Sequence, residues 1–208
     1  MHSLHEDLTP GGKQAGDGLN QEYWNDRYLK NETGWDLNAV SPPLKQYLDQ
    51  CVSKELKILI PGAGNAHEAH YLVQQGFTDI TVVDIAPAVV QALQLQFQNN
   101  PHIQIIHSDF FELEGSYDLI LEQTFFCALS PSLRIKYVNK MHQLLRPTGK
   151  LVGLLFNKEF EGGPPFGGNR ALYEDLFETY FHYRTLETCY NSVEPRAGFE
   201  LFFIFTKK

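Results

Sequence analysis

From Leu56 onward the chain alternates between two apolar textures. Short continuous apolar runs, Ile58-Leu59-Ile60, the segment DITVVD, HIQIIHSD, YDLILEQ, KLVGLLF and GFELFFIFTK, read as strands, and most of them lack the polar alternation of a half-solvated sheet. Between them apolar residues recur at helical spacing. The stretch 66–75 is a helix stopped by Gly76. Pro87 suits a first helical position, with Val90, Leu93 and Phe97 on one face before Asn99, Asn100 and Pro101 end the helix. Ser130-Pro131 is expected to cap a helix that buries Leu133, Tyr137, Met141 and Leu144 and ends at RPTG. A further helix spans 169–180, and HYRTLETCY then pairs with the last strand through the loop NSVEPRA. The order is βαβαβ followed by βαβαββ. With right-handed crossovers this predicts an α/β fold, a three-layer α/β/α sandwich with a mostly parallel, Rossmann-like sheet and its ligand crevice at the carboxyl ends of the strands.

The first fifty residues do not share this pattern. Residues 1–20 are glycine-rich with few large apolar groups and are expected to form a flexible arm. Then YWNDRYLKNETGWD gathers Tyr23, Trp24, Tyr28 and Trp35, with Trp24 and Tyr28 one helical turn apart and Gly34 as the expected break. Aromatics at helical spacing ordinarily pack a core. Here both tryptophans of the protein precede the nucleotide fold, which favours a lid whose rings could face a cation.

Composition narrows the function classes. At 208 residues and 43% hydrophobic the chain suits one domain. A formal charge of −8 and no basic run longer than two residues leave no footprint for nucleic acid or an anionic membrane. No apolar stretch approaches a membrane span and the N-terminus lacks the features of a signal peptide, so a cytoplasmic protein is expected, and it is read as a monomer. The cysteines Cys51, Cys127 and Cys189 are odd in number without CxxC spacing, against a disulfide framework and a cysteine-held metal.

The chemistry concentrates between Leu56 and Asp84. Gly62 and Gly64 allow a tight turn between strand and helix, and Asp84, with Ile85 after it, closes the next strand where a carboxylate can accept both hydroxyls of an adenosine ribose. His67 stands where a dinucleotide fingerprint would have its third glycine, so the spacing suits S-adenosylmethionine better than a pyrophosphate. Two glycines alone also serve purely steric turns. Asp109 could accept from the adenine amine while Phe110 stacks on the base; the alternative for Asp109 is a turn residue.

Taken together, YWNDRYLKNETGWD, LIPGAGNAHE, VVDIAP, SDFFE, EQTFFCALSPSLR and GGPPF resemble the thiopurine S-methyltransferase superfamily over roughly residues 20–206, most closely its halide/thiol methyltransferase branch. The antiparallel ending of the chain likewise resembles class I methyltransferases. The resemblance implies a seven-stranded, S-adenosylmethionine-dependent enzyme with an N-terminal helical lid, methylating halides, hydrosulfide, thiocyanate, small thiols or thiopurines. It divides a single domain over 21–208 into an aromatic lid (21–50) and a nucleotide-binding core (51–208). It assigns Trp24, Tyr28 and Trp35 to the cofactor lid, Gly62 to the turn beneath the methionine, Asp84 to the ribose, Asp109 and Phe110 to the adenine site and Gln123 to the methionine moiety. Tyr28 and Gln123 depart from the plant halide enzymes, which tend to have tryptophan and tyrosine there, and thiopurine enzymes have arginine in place of Gln123. These departures bear on substrate preference.

Transfer from a sulfonium to a soft anion needs alignment and dryness more than a base. An aromatic cup of Trp35, Phe125, Phe126 and Phe166 is therefore expected around the substrate, with Tyr23, Arg27 or Arg134 attracting it. For each arginine the competing reading is a surface ion pair. No residue is assigned as general base. His67-Glu68-Ala69-His70 has the wrong spacing for a zinc helix, PPF follows strand five where adenine-amino methyltransferases carry theirs after strand four, and Cys127 in an apolar run reads as a core residue. An N- or O-methyltransferase of the same fold and a non-catalytic cofactor-binding module stay open.

Overall fold

A computed structural model describes residues 18–208; residues 1–17 of the arm expected over residues 1–20 lie outside them. Seven strands, β1 (Lys57–Pro61), β2 (Asp79–Asp84), β3 (Ile103–His107), β4 (Tyr117–Glu122), β5 (Leu145–Phe156), β6 (Phe181–Thr188) and β7 (Glu200–Lys207), form one sheet in the order β3-β2-β1-β4-β5-β7-β6. All neighbours pair parallel except β7, which runs antiparallel to both β5 and β6. The expected architecture is thus present.

Residues alternate between the two faces of the sheet, and each face has its own core. Ile58 and Ile60 of β1 and Leu119 and Leu121 of β4 face one way, against α2 (Pro42–Asp49), α3 (His67–Gln74) and α4 (Pro87–Gln96), through Leu44, Leu48, Leu72 and Leu93. Leu59 and Ile120 face the other way, against α5 (Arg134–Leu144) and α6 (Arg170–Phe177), through Tyr137, Met141, Tyr173 and Phe177. Burial on both sides is what the continuous apolar runs encode. Among the described residues no helix is long and apolar enough to cross a membrane.

Several local expectations are corrected. The aromatic helix, α1 (Gln21–Leu29), does not run to Gly34: Lys30 caps it and Asn31 takes a left-handed φ of +54°. Helix α4 likewise stops at Gln96, short of the expected asparagines. Ser130 does not cap α5 with its side chain; its hydroxyl meets that of Ser132 at 2.9 Å, and a 3-10 turn over Pro131–Leu133 precedes the α-helix. The segment RPTG is not a turn between helix and strand but the bulged start of β5, where the register against β4 shifts between Tyr117 and Leu119.

The segment 21–50 contains two unlike helices. In α2, Leu44 and Leu48 are fully buried, whereas α1 buries none of its residues. Polar contacts hold α1 and the loop after it. Asn25 Oδ1 accepts the Ala88 amide at the start of α4 (2.9 Å), and Asp36 accepts from His67 Nε2 (2.7 Å) and from Asn65.

Candidate active site

Strand order reverses between β1 and β4, so the loops leaving these strands diverge and open a crevice at their carboxyl ends. A cavity of about 720 Å³ lies there, roofed by α1 and the loop to Trp35. That size is ordinary for a cofactor with its substrate, by the rough 300–1,000 Å³ range of ligand sites.

The turn after β1 needs its glycines for close approach. Gly62 has φ +57°, and a Cβ there would come within 2.1 Å of the Phe125 ring. Gly64 has φ +51°, and a Cβ would meet the Tyr28 hydroxyl at 2.5 Å. The Phe125 ring from the β4 loop and Tyr28 from the lid thus rest directly on the glycine turn. Thr124, just before Phe125, has φ +58°, a conformation that costs a β-branched residue on the order of 1–3 kcal/mol. Such strain, held beside a cavity that Thr124 itself lines, is typical of functional loops.

Asp84 ends β2 with both oxygens in use, Oδ2 accepting from Gly64 N at 3.0 Å and Oδ1 from Ala86 N at 2.9 Å. Each oxygen keeps a further lone pair, and the carboxylate reaches the cavity wall. Burial raises its pKa, against these amide bonds. Asp109 caps a 3-10 turn over Phe110–Glu112 through a 2.8 Å bond from Phe111 N and lines the cavity, so its turn role and a ligand role coexist. Phe110 packs edge-on against Phe111 and Phe125 and reaches the wall. An acid at each of two strand ends, a glycine turn and an apolar wall fit a nucleoside-bearing cofactor.

Trp24, Arg27, Tyr28 and Trp35 come from the lid to the same cavity, as do Gly62, Ile85 and Phe125 from the sheet side. Trp35 is the hub, meeting Trp24 and Tyr28 edge-on at 5.8 Å each and lying under the Arg27 guanidinium at 5.4 Å. Burial and the nearby Asp84 charge push the Tyr28 hydroxyl far up, so it stays protonated.

Six of the expected site residues do not line this cavity. Phe126 is 1% exposed inside the core beneath Tyr137 and Tyr173, because the 3-10 turn Phe126–Ala128 rotates it inward. Arg134 lies behind it, with Nη2 bonded to the Gly167 carbonyl at 2.6 Å and its guanidinium over the Phe126 ring. Phe166 is tied by its amide to the Cys127 carbonyl at 2.7 Å and packs on Gly163, while Pro164 and Pro165 of the same loop line the cavity. Tyr23 packs on Trp24 and under Arg27, outside the wall. Gln123 faces a water-sized void behind the cavity, next to Glu200, and both its amide atoms lack a protein partner. Gly64 acts beneath the wall, through Asp84.

The far end of the cavity comes from two loops that the pattern of residues left unassigned. Lys158 and Phe160 follow β5, and Arg196 and Phe199 precede β7. Arg196 donates to the Trp35 carbonyl at 2.7 Å and pairs with buried Glu200 at 3.5 Å, joining the last loop to the lid. Its signal in the sequence was the position before the last strand of the chain, on the crevice side. Cys127 lines the wall, and burial with the Glu122 charge pushes its thiol well up, so it is protonated and inert. Among the described residues no cluster of potential metal ligands occurs; His67 is engaged by Asp36 and His70 stacks on Phe97 at 4.4 Å.

The sequence profile of the thiopurine S-methyltransferase family matches residues 19–205. The chain is 30% identical over 209 residues to probable thiol methyltransferase 2 of Arabidopsis thaliana, covering 96% of this chain and 86% of the relative. With the thiopurine S-methyltransferase of Acinetobacter baylyi it shares 24% identity, covering 81% and 88%. In fold it is similar to 1,6-didemethyltoxoflavin-N1-methyltransferase of Burkholderia thailandensis, solved with its substrate and S-adenosylhomocysteine, at a TM-score of 0.73 and 19% identity over 98% of this chain and 93% of that one.

Proposed function

The chain belongs to the thiopurine S-methyltransferase family, and with that membership as premise we propose that it methylates a soft nucleophile that arrives as an anion: a halide, hydrosulfide, thiocyanate or thiolate. It is an S-adenosylmethionine-dependent methyltransferase. When bound, S-adenosylmethionine supplies an electrophilic methyl on a sulfonium sulfur.

In this reading Asp84 uses its remaining lone pairs for the ribose hydroxyls, Asp109 accepts from the adenine amine, and the backbone at Gly62 passes beneath the methionine portion. Trp24, Tyr28 and Trp35 close the roof, exclude water and offer ring faces to the sulfonium. The residues hold the reactants in line, and such positioning can be worth about 7–11 kcal/mol.

One observation carries the nucleophile class. The wall away from Asp84 and Asp109 has the cations Lys158 and Arg196 among phenylalanine and proline and no carboxylate. Elsewhere on the wall Arg27 and Lys136 are basic side chains, and Tyr28 and Cys127 hold their protons, so neither of the latter serves as a base. A substrate that must lose a proton in the site has no acceptor there, whereas one already ionised needs none. We further propose that it is a cytoplasmic monomer and, on the formal charge of −8 and the lack of any basic run longer than two residues, that it has no nucleic-acid partner.

The test is a headspace assay with S-adenosylmethionine and iodide or hydrosulfide, alongside liquid-phase assays with arenethiols. Methylated anions are expected, with thiol rates that follow the thiolate fraction and an iodide rate that changes much less with pH. Turnover confined to amines or alcohols would overturn the nucleophile class and leave the fold and cofactor in place.

A further inference from the structure

Resting on the reading of α1 and the loop to Trp35 as the cofactor's roof, we propose that Glu200 is a positioning residue for methyl transfer, acting from behind the cavity through Arg196 to hold that roof at the Trp35 carbonyl. Glu200 itself is not part of the cavity wall. It opens β7, paired across the sheet with Phe156 at the end of β5, and is 3% exposed. Arg196, four residues earlier, bridges from it to the roof: Nη1 stands 3.5 Å from Glu200 Oε1, and Nη2 donates to the Trp35 carbonyl at 2.7 Å.

The local sequence sets this bridge up. Pro195 lies in a 3-10 turn over Glu194–Arg196, the Arg196 amide donates to the Val193 carbonyl at 2.8 Å, and Gly198 at φ +80° lets the Phe199 amide return to the Arg196 carbonyl at 3.0 Å. The Phe199 carbonyl then accepts the Asn157 amide at 2.7 Å, which fastens the turn to the end of β5. With the backbone under Arg196 held in this way, the direction of its guanidinium is left to the carboxylate it pairs with, and the side chain is only 11% exposed. Removing that charge leaves a nearly buried cation uncompensated, and it turns toward water and away from Trp35.

Trp35 is the residue from which the whole roof can be held. Its ring meets Trp24 and Tyr28 at 5.8 Å each and the Arg27 guanidinium at 5.4 Å, while α1 buries no residue of its own that would fix it to the core. The next residue, Asp36, is pinned to His67 Nε2 at 2.7 Å and to Asn65, on the side of the glycine turn. Two consecutive residues thus carry the roof's attachments to opposite flanks of the cavity, one through Asp36 and the other through Glu200 and Arg196. A roof held on one flank alone admits water to the sulfonium and leaves methyl donor and nucleophile less well aligned.

Both tryptophans of the protein, Trp24 and Trp35, lie in the roof, so tryptophan emission reports on it alone. Acrylamide quenching with and without saturating S-adenosylhomocysteine is compared in wild type, Glu200→Gln, Arg196→Lys, Arg196→Met and the double variant Arg196→Met/Glu200→Gln, with the calorimetric affinity for S-adenosylhomocysteine and the unfolding midpoint of each. Loading should protect the wild-type tryptophans from quencher. Glu200→Gln should lose most of that protection and bind S-adenosylhomocysteine about fivefold more weakly, the lower end of the usual coupling between sites. Arg196→Lys leaves Glu200 a cation to pair with, so the fold is kept, but one ammonium cannot reproduce the guanidinium fork to carboxylate and carbonyl, and the same loss of protection is expected. In the Arg196→Met background Glu200→Gln should change neither readout further, because its effect passes through Arg196. Full protection in Glu200→Gln or in Arg196→Lys, or an equal further loss in the double variant, overturns the proposal and leaves the roof in place. S-adenosylhomocysteine binding that leaves the wild-type quenching unchanged sinks the roof itself, and the proposal with it.

Discussion

The carboxyl ends of β2 and β4 lie on either side of β1, and each ends in a buried acid, Asp84 and Glu122. Each acid accepts two backbone amides, Asp84 from Gly64 and Ala86, Glu122 from Phe125 and Phe126. There the likeness ends. Glu122 takes both amides on Oε1, at 2.8 and 2.9 Å, and gives Oε2 to the Tyr137 hydroxyl at 2.5 Å, sealed at 0% exposure. Asp84 spreads its amides over both oxygens and stays at the cavity wall. What separates a structural carboxylate from a ligand-binding one here is the direction of the lone pairs that the protein leaves open, not burial and not position at a strand end.

The sharpest way to break that comparison is through Glu122. Burial pushes its carboxyl up to about 7, against the bonds from Tyr137, Phe126 and Phe125 that pull it down. A carboxyl raised in the folded state stabilises fully below its unfolded pKa and loses that contribution as pH rises through the folded value. Between the ordinary glutamate value near 4.5 and about 7, wild type should therefore lose on the order of 3 kcal/mol relative to Glu122→Gln, which does not titrate, and the difference should be flat above that window. Denaturant unfolding of both proteins across this range reads the difference. A difference independent of pH would mean that Glu122 is not sealed away from solvent.

Asp84 should respond through the ligand. Asp84→Asn keeps an acceptor for one of the two amides but loses the charge, and affinity for S-adenosylhomocysteine should fall by about 2 kcal/mol, roughly thirtyfold. Calorimetric titration measures it. Affinity within twofold of wild type would remove Asp84 from the cofactor site and erase the contrast with Glu122.

How these regions looked in the sequence follows from the same physics. VVDIAP was legible because a glycine turn twenty residues upstream gives an acid at a strand end a ligand to hold, and the continuous apolar runs fixed the sheet. LILEQTFFCAL was harder: Phe125 and Phe126 are adjacent aromatics, and only the left-handed Thr124 and the 3-10 turn after it decide that Phe125 covers Gly62 while Phe126 enters the core. No periodicity carries that information. Arg196 and Lys158 were missed because they sit in loops, where pattern is silent and only the sheet's topology brings residues 161 positions apart, Trp35 and Arg196, into contact. Glu122 was passed over because its partner Tyr137 comes from the far helix and reads simply as a core residue.

The lid supplies the smallest effect and a third carboxylate for the comparison. Asp36 accepts from Asn38 N at 2.7 Å, from His67 Nε2 at 2.7 Å and from Asn65, so it is as fully engaged as Glu122, yet its engagement ties the lid to the turn and helix that follow β1. Burial would raise its carboxyl, but these bonds outweigh it and hold the pKa lowered. Helix α1 has no fully buried side chain to replace a lost pin, so Asp36→Ala should loosen the lid while the sheet core stays intact. The expected cost is about 1 kcal/mol in S-adenosylhomocysteine binding, near the typical net value of a hydrogen bond. The accompanying signs are faster proteolysis between Leu29 and Asp36 and a smaller change in tryptophan fluorescence on binding, since Trp24 and Trp35 pack edge-on at 5.8 Å beside the cavity. Global unfolding should shift less than the lid signals do, because Leu44 and Leu48 of α2 keep their burial. If proteolysis and fluorescence match wild type while affinity falls, Asp36 acts on the glycine turn through Asn65 and not on the lid. If the unfolding midpoint falls together with both lid signals, α1 belongs to the cooperative core, and a lid distinct from the sheet does not exist.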